Sequence, residues 1–353
     1  MLYFVLTTGE CNLECKYCGG SFPKSCVPRE VTFDIKDLRR LVEGDPDGSI
    51  AFYGGEPLVN AEAIKEIMDY VQAKRFIIQT NGTLAQRLSG EYWSKMDSIL
   101  LSIDGREEVT DWYRGKGIYA KALSAAQTFR NQGFRGDLIA RMAVSEKTDI
   151  YEDVMHLLKL GIFDHVHWQL DVGWSDSWID FDGWCSDSYK PGILKLVQEW
   201  RLALRAGIVL GIVPILGILK RAREGGDCPP CGSGSTSFAI LPNGQVRACP
   251  IAYDATWAIC GDLRGEKSLK PCAIEGECLE CEYLKVCGGR CLYMNKERLW
   301  GIEGFSKVCE LTKFTIDAFR ALEPDVFDAL RRGVVDSELV DYPKYNNSTE
   351  IVP

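Results

Sequence analysis

Three cysteines near the start of the chain have the spacing of an iron–sulfur ligand loop. Cys11, Cys15 and Cys18 follow an apolar run at residues 2–6 and are spaced C-x3-C-x2-C. Three soft thiolates on one short loop can hold three irons of a cubic cluster and leave the fourth iron open to a substrate or cosubstrate. A zinc or purely structural site is the alternative, although structural zinc normally takes four ligands and the nearest further cysteine is Cys26.

The composition indicates a metal-binding chain that keeps its thiols reduced. The 353 residues include 15 cysteines, and 41 basic against 50 acidic residues give a net charge of -9, which argues against a nucleic-acid partner. The first residues lack the basic region and cleavage site of a secretory signal, so the cysteines are expected in the reducing cytoplasm. The longest apolar segment, residues 208–219, is too short and too interrupted to cross a membrane, and we interpret it as a buried strand turning into a helix.

Strand-like and helix-like segments alternate over the first 170 residues. Short β-branched runs predict strands at residues 2–7, 49–53, 75–80, 98–104, 138–144 and 165–171. Amphipathic runs predict helices at residues 32–43, 61–73, 90–95, 120–132, 150–160 and 191–205. Six strand–helix units in series predict an α/β fold with a parallel sheet, as a partial (β/α)6 barrel of the TIM type rather than a closed eightfold one.

Polar residues collect late in these predicted strands and share faces by the period of two. They are Gln79, Asn81, Ser102, Asp104, Arg141, His165, His167, Gln169 and Asp171. Any one of them is equally explained as an ordinary strand-end loop residue, but four strands doing this together indicate a site at the carboxyl ends of the barrel. Gly54-Gly55-Glu56-Pro57 follows the second strand, where a glycine backbone lets a ligand approach closely and Glu56 offers a carboxylate at the same rim.

The second half of the chain is rich in cysteine. Ten cysteines lie in the 82 residues from Cys228 to Cys309, and eight of them divide into two sets of four, the number that a fully ligated cubic cluster needs. Two zinc ribbons are the alternative. Since the region is rich in loops, we expect it to build little core and to take part of its folding energy from metal. Cys260 and Cys272 do not match the pattern and are most simply free, buried thiols.

An aromatic and acidic segment, residues 174–185, follows the sixth predicted strand. It falls where a substrate-facing loop of a barrel would lie, but its tryptophans are more typical of packing. Its cysteine, Cys185, is either a substrate-facing thiol or a buried, inert one. Residues 311–332 are expected to form helices interrupted by Pro324, and residues 334–353 to form a loose tail.

Taken together, these motifs resemble the radical S-adenosylmethionine (SAM) enzymes that carry a C-terminal SPASM domain, such as the anaerobic sulfatase maturases and ribosomal-peptide maturases. The cysteine triad, with Tyr17 before its last member, and Gly54-Gly55-Glu56-Pro57 are similar to the radical SAM signature. The later cysteines, spaced Cys231-x12-Gly244-x4-Cys249, Cys278-x2-Cys281-x5-Cys287-x3-Cys291 and Cys309, resemble the SPASM signature, with Cys228 just upstream. Cys228 and Cys231 lie closer together than in the sulfatase maturases.

The resemblance implies three 4Fe-4S clusters. Cys11, Cys15 and Cys18 would hold the SAM-cleaving cluster. SAM itself would be bound by Gly54, Gly55, Glu56, Pro57, Asn81, Ser102, Asp104 and Arg141. The first auxiliary cluster would take Cys228, Cys231, Cys249 and Cys291, and the second would take Cys278, Cys281, Cys287 and Cys309. The implied domains are a barrel at 1–190, a bridging helix and strand at 191–227, a SPASM domain at 228–310, helices at 311–333 and the tail at 334–353.

The implied activity is reductive cleavage of SAM to a 5'-deoxyadenosyl radical that takes a hydrogen atom from a peptide or protein side chain. A small-molecule substrate and a non-catalytic iron–sulfur electron carrier are the alternatives. His167, Gln169 and Cys185 are the candidate catalytic residues. A low-potential donor such as ferredoxin or flavodoxin would supply the electron. Because the chain begins directly at the first strand, we expect a separate leader-binding protein, a leader-independent protein substrate as in the sulfatase maturases, or a small-molecule substrate.

Overall fold

The computed structural model describes residues 1–173, 178–265, 269–344 and 351–353. They divide into two compact units. The first unit comprises Met1–Ile103, Thr110–Ile139 and Cys231–Ala273, and the second comprises Asp104–Val109, Ala140–Pro230 and Ile274–Pro353.

The strands in the described chain follow the predicted order and then continue into the cysteine-rich region. They are β1 (Leu2–Thr8), β2 (Ser49–Gly54), β3 (Phe76–Thr80), β4 (Ser98–Ser102), β5 (Asp137–Val144), β6 (His165–Leu170), β7 (Ser237–Ile240), β8 (Gln245–Arg247) and β9 (Ile259–Asp262). Each of β1 to β6 begins and ends within two residues of its prediction. The sequence pattern therefore located these strands well.

The helices of the described chain alternate with β1 to β6 and then form most of the second unit. They are α1 (Ile35–Glu43), α2 (Ala61–Tyr70), α3 (Gly90–Trp93), α4 (Glu107–Arg114), α5 (Ile118–Asn131), α6 (Ile150–Lys159), α7 (Phe181–Trp184), α8 (Lys190–Arg205), α9 (Val213–Glu224), α10 (Leu284–Cys287), α11 (Leu292–Glu297), α12 (Gly301–Arg320), α13 (Glu323–Arg331) and α14 (Ser337–Val340). Pro324 lies in the first turn of α13, where its missing N–H costs nothing, so α12 and α13 are separate helices as expected. No helix in this described part has the length and apolar character needed to span a bilayer.

A sheet forms the centre of the first unit. Its strands lie in the order β4-β3-β2-β1-β7-β8-β9, with β1 to β4 parallel and β7 parallel to β1 on its other side. β8 and β9 extend the sheet by antiparallel pairing. Every residue of β1 is buried, as a central parallel strand covered on both faces requires. The predicted α/β fold with a parallel sheet is confirmed.

The first part of the cysteine-rich region belongs to this sheet. In β7 and just beyond it, Phe238, Ala239, Ile240 and Leu241 are at most 2% exposed. Tyr3 pairs with Phe238 and Phe4 pairs with Ala239 in the parallel register. The expectation that this region builds little core is therefore wrong for β7, because a four-residue strand gains its core from pairing with β1 rather than from its own segment.

The second unit packs one face of β6 against its helices. Val166, Trp168 and Leu170 are buried, and the Trp168 indole N–H donates to the Tyr189 hydroxyl at 3.2 Å. The rings of Trp168 and Phe319 meet edge to face at 6.3 Å. Since side chains alternate along a strand, His165, His167 and Gln169 point to the opposite face.

The aromatic segment that follows β6 packs within the second unit. Trp178 lies against Phe181 and Trp184, with ring centroids 5.1 and 4.8 Å apart, and Phe181 lies 5.2 Å from Trp300. The Trp178 indole N–H donates to the carbonyl of Asp171 at 2.7 Å. These contacts favour the packing interpretation for residues 178–185, while Trp174 lies outside the described residues.

Residues 334–353 are not a loose tail throughout. α14 lies within them, the ring of Tyr342 stacks on His165 at 4.0 Å, and Ile351 and Val352 are 3% and 0% exposed. The expectation of a loose tail is wrong at these points. Local composition predicts a loose tail here. The structure instead shows contacts with residues far away in sequence, which local composition does not reveal.

Candidate functional site

The predicted ligand cysteines of the first unit lie on a closed loop directly after β1, which we call the cysteine loop (residues 9–22). The Phe22 N–H donates to the Gly9 carbonyl at 2.8 Å and closes the loop. The Cys11 N–H donates to the Ser21 hydroxyl at 2.9 Å, and the Leu13 N–H points to the Cys11 sulfur at 3.5 Å. Cys15 is buried, Cys11 is half-buried and Cys18 is exposed. The chain therefore holds the three cysteines on one local turn.

The outer side of the cysteine loop rests on the end of α4. The Lys16 N–H donates to the Tyr113 carbonyl at 2.9 Å. The Tyr17 ring lies 5.4 Å from the ring of Tyr113, and the Arg114 guanidinium lies 5.5 Å from the centre of the Tyr17 ring. A tyrosine before the last cysteine thus anchors the loop through aromatic and cation–π contacts.

The inner side of the cysteine loop touches the glycine pair after β2. A Cβ atom built on Gly55 would lie 2.4 Å from the carbonyl carbon of Glu10 and 2.7 Å from the nitrogen of Cys11. Gly54 has a φ of 148°, a backbone conformation that favours glycine. The Gly55 and Glu56 N–H groups donate to the carbonyls of Thr8 and Glu10 at 3.2 and 2.8 Å. Glycine is needed here so that the two motifs can meet backbone to backbone.

The carboxylate of Glu56 is turned inward, not toward an open rim. Glu56 is 1% exposed, and its oxygens accept hydrogen bonds from the Thr80 hydroxyl at 2.6 Å, the Asn81 N–H at 2.7 Å and the Leu58 N–H at 3.1 Å. Burial raises the pKa of Glu56 to about 7, although the three donors favour the ionised form and act in the opposite direction. Glu56 therefore fastens the end of β3 to the segment after β2.

Asn81 extends this connection to the cysteine loop. Its side-chain amide donates to the Asn12 side-chain oxygen at 3.0 Å, and the Asn12 amide donates to the Thr83 hydroxyl at 2.8 Å. The Thr83 hydroxyl donates back to the Asn81 side-chain oxygen at 2.7 Å. Asn81, predicted to bind SAM, thus lies beside the residue that follows Cys11. The sequence drew no attention to Asn12 and Thr83, because only the folded chain brings them together.

Replacing Glu56 by glutamine should destabilise the protein by about 1–3 kcal/mol, because the new amide would turn an N–H₂ group toward a donor such as the Asn81 N–H. Since the folded-state pKa of Glu56 is raised to about 7, the folded protein keeps a proton that the unfolded chain releases above about pH 4.5. The wild type should therefore lose stability relative to the variant as the pH rises from about 5 to 7. Anaerobic urea unfolding at both pH values measures this difference.

Glu62→Gln is the matched control, because the Glu62 side chain is 85% exposed. It should change the free energy of unfolding by no more than about 0.5 kcal/mol. Equal stability of wild type and Glu56→Gln at both pH values would show that the buried carboxylate does not fasten β3.

The other predicted SAM contacts divide between the two units. Ser102, at the end of β4, is 8% exposed and belongs to the first unit. Asp104 and Arg141 belong to the second unit. The Asp104 carboxylate is buried and accepts the Ala143 N–H at 2.9 Å, and the Arg141 guanidinium donates to the Met142 carbonyl at 3.1 Å. Pro57 opens the turn Pro57–Asn60, and its carbonyl accepts the Thr7 hydroxyl at 3.0 Å.

The cysteines predicted to bind the second auxiliary cluster gather in the second unit. Cys278, Cys287 and Cys309 line one cavity, which we call the thiol cavity; its other lining residues are Gly289, Arg290, Cys291, Met294, Phe305, Val308 and Thr312. Burial and, to a smaller extent, the thiols of Cys309 and Cys278 raise the pKa of Cys287 to about 12, although the Arg290 guanidinium acts in the opposite direction. Burial raises the pKa of Cys309, and Cys281 adds to the rise. The four predicted ligands of this cluster are therefore neighbours.

The cysteines predicted for the first auxiliary cluster lie in both units. In the first unit, the Ser233 hydroxyl and the Gly234 N–H donate to the Ala248 carbonyl at 2.8 and 3.0 Å, which ties the segment after Cys231 to the residue before Cys249. In the second unit, the Arg221 guanidinium donates to the Cys228 carbonyl at 3.0 Å. A Cβ on Gly288 would lie 2.1 Å from that carbonyl oxygen, so the backbone at Cys228 lies against the residue after Cys287.

Two further cysteines of the first unit lie side by side. The sulfurs of Cys260 and Cys272 are 3.7 Å apart, and the Cys272 thiol donates to the Trp257 carbonyl at 3.2 Å. Burial raises the pKa of Cys260 to about 12. Cys260 is buried and Cys272 half-buried.

Across residues 1–173, 178–265, 269–344 and 351–353, no three Cys, His, Asp or Glu side chains are grouped as a single metal ion requires.

The three candidate catalytic residues lie in the second unit. His167 is fully buried, and the Gln169 amide donates to the Val352 carbonyl at 3.2 Å. Cys185 is 7% exposed. Burial raises the pKa of the Cys185 thiol to about 12, which makes it a poor nucleophile. These surroundings favour an inert Cys185.

The profile of the Radical SAM superfamily matches residues 5–160, the part of the chain that carries the cysteine loop, Gly54 to Glu56 and Asn81. The chain carries a radical SAM domain. Domains of this family use SAM together with one 4Fe-4S cluster, and Cys11, Cys15 and Cys18 are the cysteines of the matched segment that are spaced for it.

Several proteins resemble this chain over most of its length. It is 25% identical to the mycofactocin maturase MftC of Mycolicibacterium smegmatis over 81% of this chain and 76% of that protein. It is 26% identical to the antilisterial bacteriocin subtilosin biosynthesis protein AlbA of Bacillus subtilis, over 69% of this chain and 53% of AlbA. An AdoMet-dependent heme synthase of Nitratidesulfovibrio vulgaris is 24% identical over 80% of this chain and 84% of that enzyme.

A solved structure shares the fold. The structure of native anSMEcpe with bound AdoMet superimposes with a TM-score of 0.72 at 18% sequence identity, covering 94% of this chain and 100% of that chain. The agreement over nearly the whole chain supports the α/β fold.

Proposed function

We propose that this chain is a radical SAM enzyme, that it modifies a peptide and that it binds three 4Fe-4S clusters. The observation that carries the proposal is the meeting of the cysteine loop with Gly55, Glu56 and Asn81 in the first unit. The two motifs are fastened to each other by main-chain and side-chain hydrogen bonds. A purely electron-carrying protein has no use for an open iron beside such a segment, so this arrangement favours catalysis.

The residues of the first unit suit the SAM-binding cluster. Cys11, Cys15 and Cys18 would hold it, and the Leu13 N–H that points to the Cys11 sulfur at 3.5 Å is the kind of donor that tunes cluster potentials. When it is reduced and bound to SAM, this cluster supplies a 5'-deoxyadenosyl radical. The carboxylate of Glu56 is occupied within the protein, so we propose that Gly54 to Glu56 contact SAM through their main chain. Pro57, Asn81, Ser102, Asp104 and Arg141 remain the other proposed contacts.

The thiol cavity suits an auxiliary cluster. Its proposed ligands are Cys278, Cys281, Cys287 and Cys309, and the proposal is supported by the fact that Cys278, Cys287 and Cys309 line one cavity. For the first auxiliary cluster we propose Cys228, Cys231, Cys249 and Cys291. With four protein ligands each, these clusters would have no open iron and would pass electrons or stabilise the fold.

Replacing Cys309 by alanine should remove about four of about twelve irons per chain, because a cubic cluster is lost with its fourth ligand. Cys272→Ala is the matched control, since Cys272 contacts Cys260 and the Trp257 carbonyl and is not a proposed ligand. It should leave the iron content unchanged. Anaerobic iron and sulfide determination after reconstitution measures both. Equal iron contents in the two variants would contradict the assignment of Cys309.

A peptide is the proposed substrate because of the similar proteins. MftC is named as a maturase, AlbA as a bacteriocin biosynthesis protein, and anSMEcpe has also been solved with a bound peptide at a TM-score of 0.67. A low-potential ferredoxin or flavodoxin would supply the electron in the cytoplasm, and a separate protein would bind a leader sequence. His167 and Gln169 are the proposed contacts to adenine or substrate.

The test is to incubate the reconstituted enzyme with dithionite, SAM and the peptides encoded beside its gene. The proposal expects a mass change in one peptide together with faster release of 5'-deoxyadenosine. Absence of both, in an enzyme that cleaves SAM, would reject a peptide substrate. His167→Ala should slow peptide modification if His167 contacts the substrate or adenine, whereas unchanged turnover would indicate a purely structural side chain.

A small molecule is the second candidate substrate class. It is favoured by the similarity to an AdoMet-dependent heme synthase, of which this chain covers 84%. Release of 5'-deoxyadenosine that is accelerated by a metabolite extract depleted of peptides would decide for it.

A further inference from the structure

Residues 351–353 form a buried segment on the polar face of β6. Ile351 and Val352 are 3% and 0% exposed. The Gln169 amide donates to the Val352 carbonyl at 3.2 Å, and on the same face of the strand the ring of His165 stacks on Tyr342 at 4.0 Å. The face opposite to the helix-packed side of β6 is thus covered by the chain's own residues.

The side chain of Ile351 occupies a fitted slot on α9. A Cβ atom built on Gly217 would lie 2.4 Å from both the Cβ and the Cγ2 atoms of Ile351, and the three nearest atoms to it all belong to Ile351. Gly217 is buried within α9, where alanine would otherwise be the better helix former. The missing side chain at this position makes room for one β-branched residue.

The buried guanidinium of Arg290 contacts the main-chain oxygen of Pro353, the residue after Val352. The Arg290 Nε atom donates to the Pro353 carbonyl at 2.6 Å, and Arg290 is 7% exposed. Its φ of 55° is uncommon for a residue with a side chain, and such strain persists where the surroundings fix it. Arg290 also lines the thiol cavity. The segment therefore reaches from β6 to the wall of that cavity.

We propose that residues 351–353 occupy a peptide-binding groove as an internal pseudosubstrate, which the peptide substrate displaces. Gln169 and Arg290 each donate a hydrogen bond to a main-chain carbonyl of the segment, and the slot at Gly217 accommodates one of its side chains. Peptide-binding grooves combine the same two kinds of contact. An incoming peptide supplies the same carbonyls, so exchange conserves these hydrogen bonds. The groove takes a peptide with isoleucine or valine in the slot.

This inference rests on the proposed peptide substrate and adds the feature of the peptide that is recognised. The probe is a fluorescent synthetic peptide with the sequence of residues 348–353, measured by anisotropy with the full-length holoenzyme. Ile351→Asp places a charge in the apolar slot and should expel the segment while leaving the groove intact. It should bind the probe with a Kd at least tenfold below that of the wild type.

Two controls separate the groove from general effects. Gly217→Ala fills the slot, so the double variant Ile351→Asp, Gly217→Ala should bind the probe no better than the wild type does. Ile302→Asp changes an isoleucine that is 77% exposed and should leave the Kd unchanged. A second measurement uses the wild type and does not depend on the folding of any variant: saturating probe should speed hydrogen exchange at the amides of Ile351 and Val352.

Unchanged exchange in the wild type together with no gain in affinity for Ile351→Asp would overturn the groove. This failure is distinguishable from failure of the proposed function, because probe binding needs no SAM cleavage. An enzyme that modifies a peptide but shows neither effect keeps its function and loses the groove. An enzyme that shows both effects but modifies no peptide keeps the groove and loses the function.

Discussion

Replacing Cys15 by alanine is expected to abolish SAM cleavage. Cys15 is the buried member of the triad, and its carbonyl accepts the N–H groups of Cys18 and Gly19 at 3.0 and 3.2 Å. These bonds belong to the main chain and survive the substitution, so the loss is that of one proposed iron ligand on a preserved loop. A cubic cluster with two protein ligands is not retained, and iron should fall by about four per chain. Anaerobic iron analysis and chromatography of 5'-deoxyadenosine measure the two effects.

Cys26→Ala is the matched control for this substitution. Cys26 follows the cysteine loop, is half-buried, and its sulfur lies 3.7 Å from the Ser25 hydroxyl. It was the nearest candidate for a fourth ligand in the zinc interpretation of the loop. The variant should keep its iron and its SAM cleavage. Loss of iron in Cys26→Ala, or full cleavage in Cys15→Ala, would contradict the assignment of the triad.

The sequence predicts the strands of the barrel well because the residues within each strand determine its conformation. A run such as β1, with apolar and β-branched residues bounded by turn residues, specifies a buried parallel strand by itself. β7 is different, since Ser237–Ile240 is short and is surrounded by glycine and cysteine. Its strand geometry depends on pairing with β1, more than 200 residues away in sequence. Contacts at such separation leave no periodic signal in the segment itself.

The candidate site, like the sheet, is predictable from the sequence only in part. The spacing of the cysteines and the Gly54 to Pro57 segment identify residue types whose chemistry is intrinsic, and the matching family profile covers both. The sequence does not show which residues contact these side chains in the folded chain. Glu56 was expected at an open rim, yet its carboxylate is buried against Thr80 and Asn81. Asn12 is connected to Asn81 only through the fold.

The polar face of β6 shows another feature that could be predicted from the sequence only in part. Alternation correctly predicts that His167 and Gln169 share a face, because the period of two is a property of the strand. What covers that face depends on Val352, which lies 183 residues beyond Gln169 in sequence. A segment of three residues carries too little pattern to be placed by composition, and its burial comes from slots such as the one at Gly217.

Replacing Gly55 by alanine is expected to separate the cysteine loop from the segment after β2, the two motifs on which the proposed SAM site depends. The new Cβ would lie 2.4 Å from the carbonyl carbon and oxygen of Glu10, a distance that real Cβ atoms do not show. These are backbone atoms, held by the hydrogen bonds of the Gly55 and Glu56 N–H groups to Thr8 and Glu10, so no side chain can move aside. The cysteine loop itself must shift, at a cost of about 1–3 kcal/mol for overpacking.

The expected result is at least a tenfold loss of SAM affinity, with iron at the triad reduced in the same preparation. Equilibrium dialysis of SAM and iron analysis measure it, and circular dichroism checks that the barrel remains folded. Gly173→Ala is the control, because a Cβ there would meet no atom within 4 Å. If Gly55→Ala binds SAM as tightly as Gly173→Ala does, close approach of the glycine pair to the cysteine loop is not what builds the site. If only Gly55→Ala loses both iron and SAM, the backbone contact between residues 10 and 55 is the structural basis of the cofactor site.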